Sequence, residues 1–116
     1  MYKINFSQVK NEPVSGGKGL WRRWLISREQ GAKNYAMRYF EIEPGGYSID
    51  HAHNYEHEIF ILKGSGKIKS GDLEDEFHEG DAIFIPPNER HQLINTSNEK
   101  VAFLCIVPIK EYFGLS

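Results

Sequence analysis

The 116-residue sequence contains a single cysteine, Cys105, so it cannot form an internal disulfide. This excludes the disulfide-stapled class of small secreted domains and indicates a reducing compartment. The chain also has no apolar run near the roughly 20 residues that a membrane-spanning helix needs, and its first ten residues lack the apolar core of a signal peptide. We therefore expect a cytoplasmic protein without a membrane partner.

An excess of charge of either sign is missing as well. The chain has 14 Lys and Arg against 16 Asp and Glu, which gives a formal net charge of −2. The basic pair Arg22-Arg23 is too short for a nucleic-acid-binding surface, so we exclude nucleic acid as a partner. No linker, repeat or low-complexity segment divides the chain, and its length suits one compact domain. We therefore predict a single domain over residues 1–116.

Sustained helical periodicity is also absent, and the sequence is typical of short strands separated by turns. Proline and glycine in 43–46 stand where a type II turn requires them, and further turn signals occur at 64–66, 70–72 and 95–98. Many short strands at this spacing favour an all-β fold, an antiparallel sandwich or barrel. The predicted strands are residues 2–6, 20–27, 36–42, 47–53, 58–62, 67–70, 73–78, 82–85, 91–94 and 101–107.

Two of the predicted strands, 58–62 and 101–107, are apolar at both odd and even positions. Because successive side chains of a strand point to opposite faces, each strand has an apolar face left over once the core is filled. A second subunit would cover that face in a homodimer, which is the arrangement we favour. The alternative is that the N-terminal strand of the same chain provides the cover.

Histidine, in contrast, is concentrated in one place. His51, His53 and His57 fall within seven residues, and they are three of the five histidines in the chain. Side chains two apart on a strand point the same way, so His51 and His53 share a face. A His-x-His pair alone also suits a polar strand edge, but a turn at 54–55 would bring His57 back opposite the pair. Three clustered imidazoles favour a metal site, because imidazole is the commonest neutral metal ligand.

The spacing around these histidines resembles the first motif of the cupin family. That motif consists of Gly, five residues, His-x-His, three or four residues, Glu, six residues and Gly. Here five residues separate Gly45 from His51. Six residues separate His57 from Gly64, so His57 stands where the family has glutamate. Glu58 is the alternative ligand, because the motif also allows four intervening residues, and four separate Glu58 from His53.

A second stretch resembles the other cupin motif, which consists of Gly, five residues, Pro-x-Gly, two residues, His, three residues and Asn. Every spacing fits, and the one departure is Asn88 in place of the second glycine. Asparagine tolerates the left-handed backbone that glycine would supply there. The matching positions are Gly80, Pro86, Asn88, His91 and Asn95.

The resemblance implies an all-β double-stranded β-helix, that is, a jelly-roll cupin barrel of antiparallel strands. It also implies a divalent transition metal, one of Mn, Fe, Co, Ni, Cu or Zn, on four histidine ligands. Four neutral imidazoles leave the charge of such an ion uncompensated and favour anionic ligands in its open positions. The implied ligands are His51, His53, His57 and His91.

Strand parity predicts which other side chains line the pocket beside the metal. Arg38 and Phe40 share one face and Arg38 would hold an anionic substrate, whereas Leu93 and Phe103 are also typical core residues. Cys105 is more typical of a small buried hydrophobe than of a reactive thiol. His78 lies among acidic residues and is predicted to be a solvent-exposed bystander.

The resemblance implies two classes of function. The first is a metal-dependent enzyme acting on a small oxygenated molecule, with dioxygenase-, isomerase- or decarboxylase-like chemistry and the metal as Lewis acid or dioxygen site. The second is a non-catalytic module that binds or senses a small molecule. The fold alone does not separate them, because cupins have many functions.

Overall fold

Nine β-strands form most of the regular structure in this computed structural model, which describes residues 1–115. Two short 3₁₀ helices, Phe6–Gln8 and Arg28–Gln30, and the helix α1, Ile109–Tyr112, complete the regular elements of these residues. No helix among them has the length and apolar character needed to cross a membrane. The strands are β1 (Glu12–Pro13), β2 (Lys18–Ile26), β3 (Tyr35–Tyr47), β4 (His57–Lys63), β5 (Gly66–Ser70), β6 (Leu73–Phe77), β7 (Ala82–Ile85), β8 (His91–Ile94) and β9 (Val101–Pro108).

Every pairing between these strands is antiparallel. They form one curled sheet in the order β6-β5-β8-β3-β9-β4-β7, with β2 paired to β3 and β1 paired to β2. The 13-residue strand β3 pairs with β9 over residues 35–42 and with β8 at Tyr47, so it belongs to both halves of the barrel. The predicted antiparallel jelly-roll barrel is confirmed.

Alternation along the central strands decides which side chains enter the barrel. In β4, His57, Ile59 and Ile61 are buried, whereas Glu58 and Phe60 between them are exposed. This is the period of two that a pleated strand imposes. The same alternation on β9 buries its residues at 101, 103, 105 and 107. The histidine of β4 therefore faces the interior, and the neighbouring glutamate faces solvent.

Two of the predicted strands are wrong. Residues 2–6 pair with no strand; the Asn5 side chain instead accepts a hydrogen bond from the Ser7 backbone and caps the 3₁₀ helix that follows. Asparagine favours such local side-chain bonds over strand pairing. The predicted strand 47–53 ends at Tyr47, and beyond it only an isolated bridge between His51 and His91 remains.

The predicted turn at 43–46 lies inside β3 as a bulge. Leu20 pairs with Ile42 and Lys18 pairs with Tyr47, so four residues of β3 lie opposite one residue of β2. Gly45 has φ of 76°, the left-handed value that the turn prediction required of a glycine. The bulge lets one long strand bend from one half of the barrel into the other.

Candidate metal centre

The structure brings together the four histidines that the spacing selected. His51 and His53 lie in the segment between β3 and β4, His57 is the first residue of β4, and His91 is the first residue of β8. One ring nitrogen of each lies within 4.8 Å of one ring nitrogen of every other. His57 and His91 are buried, and the other two are half-buried. The cluster therefore has a closed side toward the barrel interior and an open side toward the mouth.

Backbone pairing holds the irregular segment that carries His51 and His53. The His91 N–H donates to the His51 carbonyl at 3.0 Å, and the His51 N–H donates back at 3.3 Å. The Asn88 N–H donates to the His53 carbonyl at 2.6 Å. Asn88 has φ of 66°, so this asparagine adopts the left-handed backbone expected of it. The turn before β8 thus positions histidines from both motifs.

Hydrogen bonds also orient two of the rings. Nδ1 of His91 lies 2.9 Å from the Glu89 carbonyl, and Nδ1 of His53 lies 3.2 Å from the Tyr55 carbonyl. A carbonyl only accepts, so Nδ1 carries the proton in both rings and Nε2 keeps its lone pair. The His53 ring also stacks on Tyr55, with centroids 3.8 Å apart and planes 6° apart. Both rings are therefore fixed with a free nitrogen available to a metal ion.

His57 is held by a sulfur atom. Its Nδ1 lies 3.0 Å from Cys105 Sγ, and Arg38 Nη2 lies 3.1 Å from the same sulfur and 3.4 Å from Nδ1. Because the sulfur can accept from both neighbours, His57 can donate through Nδ1 and leave Nε2 free. That Nε2 lies 2.7 Å from Nε2 of His53, so two potential ligand atoms face each other across a short gap.

The electrostatics keep the cluster neutral in the absence of a metal. Burial lowers the pKa of His57 to about 2, with the adjacent Arg38 guanidinium as the next cause. Burial, followed by the proximity of His91, lowers the pKa of His51 to about 4. The pKa values of His53 and His91 are also lowered, again chiefly by burial. Neutral imidazole is the form that binds metal, so the environment favours the metal-binding protonation state.

The donor set fits a divalent transition metal. Imidazole nitrogens suit the later first-row ions and zinc, and none of the four positions offers a thiolate that would favour a closed structural zinc site. Glu58, the alternative ligand, is exposed on the opposite face of β4 and pairs with Phe84 and Ile106. His78 is exposed beside Asp81, away from the cluster, as expected.

A cavity of about 110 Å³ opens beside the cluster. The Phe40 and Phe103 rings form part of its wall, stacked with centroids 5.1 Å apart. The lining residues that sequence reasoning missed include Tyr55 and Tyr112. Tyr55 lies two residues after His53, and this short separation was a signal that it could line the site. Tyr112 offered no such signal, because it lies in α1, outside every predicted strand. The cavity lining also includes five residues named from strand parity, whose role in binding a substrate stays a prediction: Arg38, Phe40, Leu93, Phe103 and Cys105.

The chain is similar to known proteins both in sequence and in structure. Residues 38–107 match the family Cupin_2, described as cupin domain. Among solved structures, the polyketide cyclase RemF from Streptomyces resistomycificus is similar, with a TM-score of 0.88 and 34% identity over 94% of this chain and 80% of that chain.

Two curated proteins are similar in sequence. The 1-methylthio-D-xylulose 5-phosphate methylsulfurylase of Rhodospirillum rubrum is 37% identical over 71 residues, which are 61% of this chain but only 46% of that enzyme. The oxalate-binding protein of Thermotoga maritima is 28% identical over 110 residues, which are 90% of this chain and 91% of that protein.

Proposed function

Since the chain belongs to the Cupin_2 family of cupin domains, we propose that it is a metal-dependent enzyme acting on a small oxygenated molecule. The observation that carries the proposal is the convergence of four neutral imidazoles beside a small cavity. The proposed metal ligands are His51, His53, His57 and His91. The names of its relatives include a cyclase and a methylsulfurylase, which supports an enzymatic role.

In this proposal the bound metal and the residues around it have different roles. A bound divalent metal would supply Lewis-acid polarisation of a ligand oxygen or a site for dioxygen, the basis of dioxygenase-, isomerase- or decarboxylase-like chemistry. The Glu89 and Tyr55 carbonyls and the Cys105 sulfur orient three of the ligand rings. The aromatic walls exclude water from the bound molecule. Burial raises the pKa of Tyr55 to about 12, so its hydroxyl stays protonated at neutral pH and can donate a hydrogen bond.

Elemental analysis of protein purified without added metal tests this proposal. We expect about one equivalent of a divalent transition metal per chain, as four ligands to one ion require. Screening of small carbonyl and catechol compounds, with dioxygen uptake recorded in parallel, then separates dioxygenase from isomerase or decarboxylase chemistry. Protein that takes up none of the six candidate metals, even from excess, would contradict the proposal.

The second candidate is a non-catalytic module that binds a small molecule. The similarity to the oxalate-binding protein, which extends over 90% of this chain, favours this alternative. Binding of a small oxygenated molecule by metal-loaded protein, without turnover or dioxygen uptake, would decide for the module and against the enzyme.

We also propose that the protein is a homodimer built through the outer face of the sheet. Phe60 and Phe84 are 44% and 57% exposed there; Phe60 pairs with Leu104 of β9, and Phe84 of β7 pairs with Glu58 of β4. The N-terminal segment places its Phe6 ring 4.9 Å from the Tyr39 ring, but it leaves Phe60 and Phe84 exposed. Exposed aromatic side chains grouped on one face of a sheet are typical of subunit interfaces.

Light scattering at micromolar concentration should give twice the 13.4 kDa chain mass. The substitution Phe60→Glu places a charge on the apolar face, and we expect it to give the monomer mass. Leu73→Glu is the matched control, because Leu73 is 75% exposed at the β5–β6 turn, away from this face. A monomeric wild-type chain would contradict the proposed dimer.

A further inference from the structure

Arg38 is a buried cation without a counter-ion. Its side chain projects from β3 into the cavity, and the residue is 5% exposed. Among residues 1–115 no carboxylate lies within 4.0 Å of its guanidinium, and its buried Nε has no hydrogen-bond partner. Arg22 also lines the cavity, but it pairs with Glu12 at 2.9 Å. A carboxylate therefore compensates the positive charge of Arg22, whereas the positive charge of Arg38 has no such partner.

Aromatic rings provide part of the missing compensation. The guanidinium carbon lies 5.0 Å from the ring centroids of Phe40 and Tyr112 and 5.5 Å from that of Trp24. Such contacts recover only a fraction of what a buried cation loses in hydration. The cavity lining contains no acidic residue, and a divalent metal on the histidines would add further positive charge. A bound anion would therefore compensate the excess positive charge of this cavity.

We propose that the cavity binds a small flat oxyanion, a conjugated carboxylate or enolate with a second oxygen nearby. One oxygen lies against Arg38 and the other faces the histidine cluster. The planar guanidinium suits a carboxylate, and the hydrogen bond from Nη2 to Cys105 Sγ at 3.1 Å holds one of its amino groups in place. The stacked Phe40 and Phe103 rings favour a flat ligand over a branched one. The position of the second oxygen rests on the proposed metal site.

Isothermal titration with 2-hydroxybenzoate tests the charge requirement on the wild-type chain. The neutral 2-hydroxybenzamide has nearly the same shape, so it is the matched probe. We expect zinc-loaded protein to bind the anion about 10- to 100-fold more tightly than the amide, the usual effect of a charge-assisted hydrogen bond. The aliphatic 2-hydroxy-2-methylpropanoate should bind more weakly than the aromatic anion. Equal affinities for anion and amide would overturn the inference.

Variants then assign the effect to Arg38. At equal zinc occupancy, measured for each protein, Arg38→Met should lower the preference for the anion below that of the wild type. Arg38→Lys, which keeps the charge but loses the planar fork, should retain more of it. The control is the pair Arg22→Gln with Glu12→Gln, which removes the compensated arginine and its partner together. An Arg38→Met protein that prefers the anion as strongly as the wild type would overturn the inference.

The outcomes separate this inference from the proposed function. Wild-type protein that binds zinc but does not distinguish anion from amide contradicts the oxyanion site alone. Wild-type protein that binds neither zinc nor any other of the six candidate metals contradicts the metal site. Titration of metal-free wild-type and Arg38→Met proteins then still decides whether Arg38 binds an anion, because the guanidinium requires no metal.

Discussion

Replacement of His57 by alanine is expected to lower the affinity for Zn²⁺ by more than about 100-fold. Loss of a group that merely orients a metal-bound histidine costs about 10- to 100-fold, and His57 is expected to be a ligand itself. Its Nε2 lies 2.7 Å from Nε2 of His53, at the centre of the cluster. Competition titration with a chromogenic chelator measures the change, and the thermal stabilisation by added Zn²⁺ should be lost with it.

Two further variants make this result specific. His78→Ala removes the one histidine outside the cluster, an exposed residue beside Asp81, and should bind Zn²⁺ like the wild type. His57→Gln keeps most of the buried volume and separates the loss of a ligand from the effect of a cavity in the core. If His57→Ala bound Zn²⁺ normally while Glu58→Ala did not, the ligand would be the glutamate and the four-histidine assignment would be wrong.

The metal-free protein is expected to lose stability steeply as the pH falls below about 6.5, the ordinary pKa of histidine. The unfolded chain binds protons on its histidines below this pH, whereas burial lowers the pKa of His57 to about 2 and that of His51 to about 4 in the folded chain. The unfolded state therefore gains more protons, and acid favours unfolding. For buried His57 alone the loss is about 3 kcal/mol between pH 6.5 and pH 4.

Urea unfolding of metal-free protein at pH 7, 5.5 and 4 measures this loss. His57→Gln has no titrating group at that position, so its unfolding free energy should fall by about 3 kcal/mol less over the same range. Above pH 7 the histidines are neutral in both states, and this difference in pH dependence should vanish. A wild-type stability that stays constant down to pH 4 would show that these rings protonate freely in the folded chain.

The histidine cluster could be predicted from the sequence because its spacing carries the information. His51 and His53 are two residues apart, and His57 is separated from Gly64 by the spacing of the cupin motif. The burial pattern of β4 then follows from strand alternation, which orients His57 inward and Glu58 outward. The two histidines before β4 were predicted on a strand but lie in an irregular segment. They still converge, because the bridge between His51 and His91 takes the place of the strand pairing.

The sequence by itself therefore determined the features that local spacing encodes. These are the β-class of the chain, the paired cupin motifs and the set of histidines that converge. Only the tertiary structure decided the contacts between distant residues. Arg38 and Cys105 are 67 positions apart, yet their side chains meet at His57. Tyr112 reaches the cavity from a helix that no periodicity predicted. Such contacts depend on strand register and barrel curvature, which are set by packing over the whole sheet and not by any short stretch of sequence.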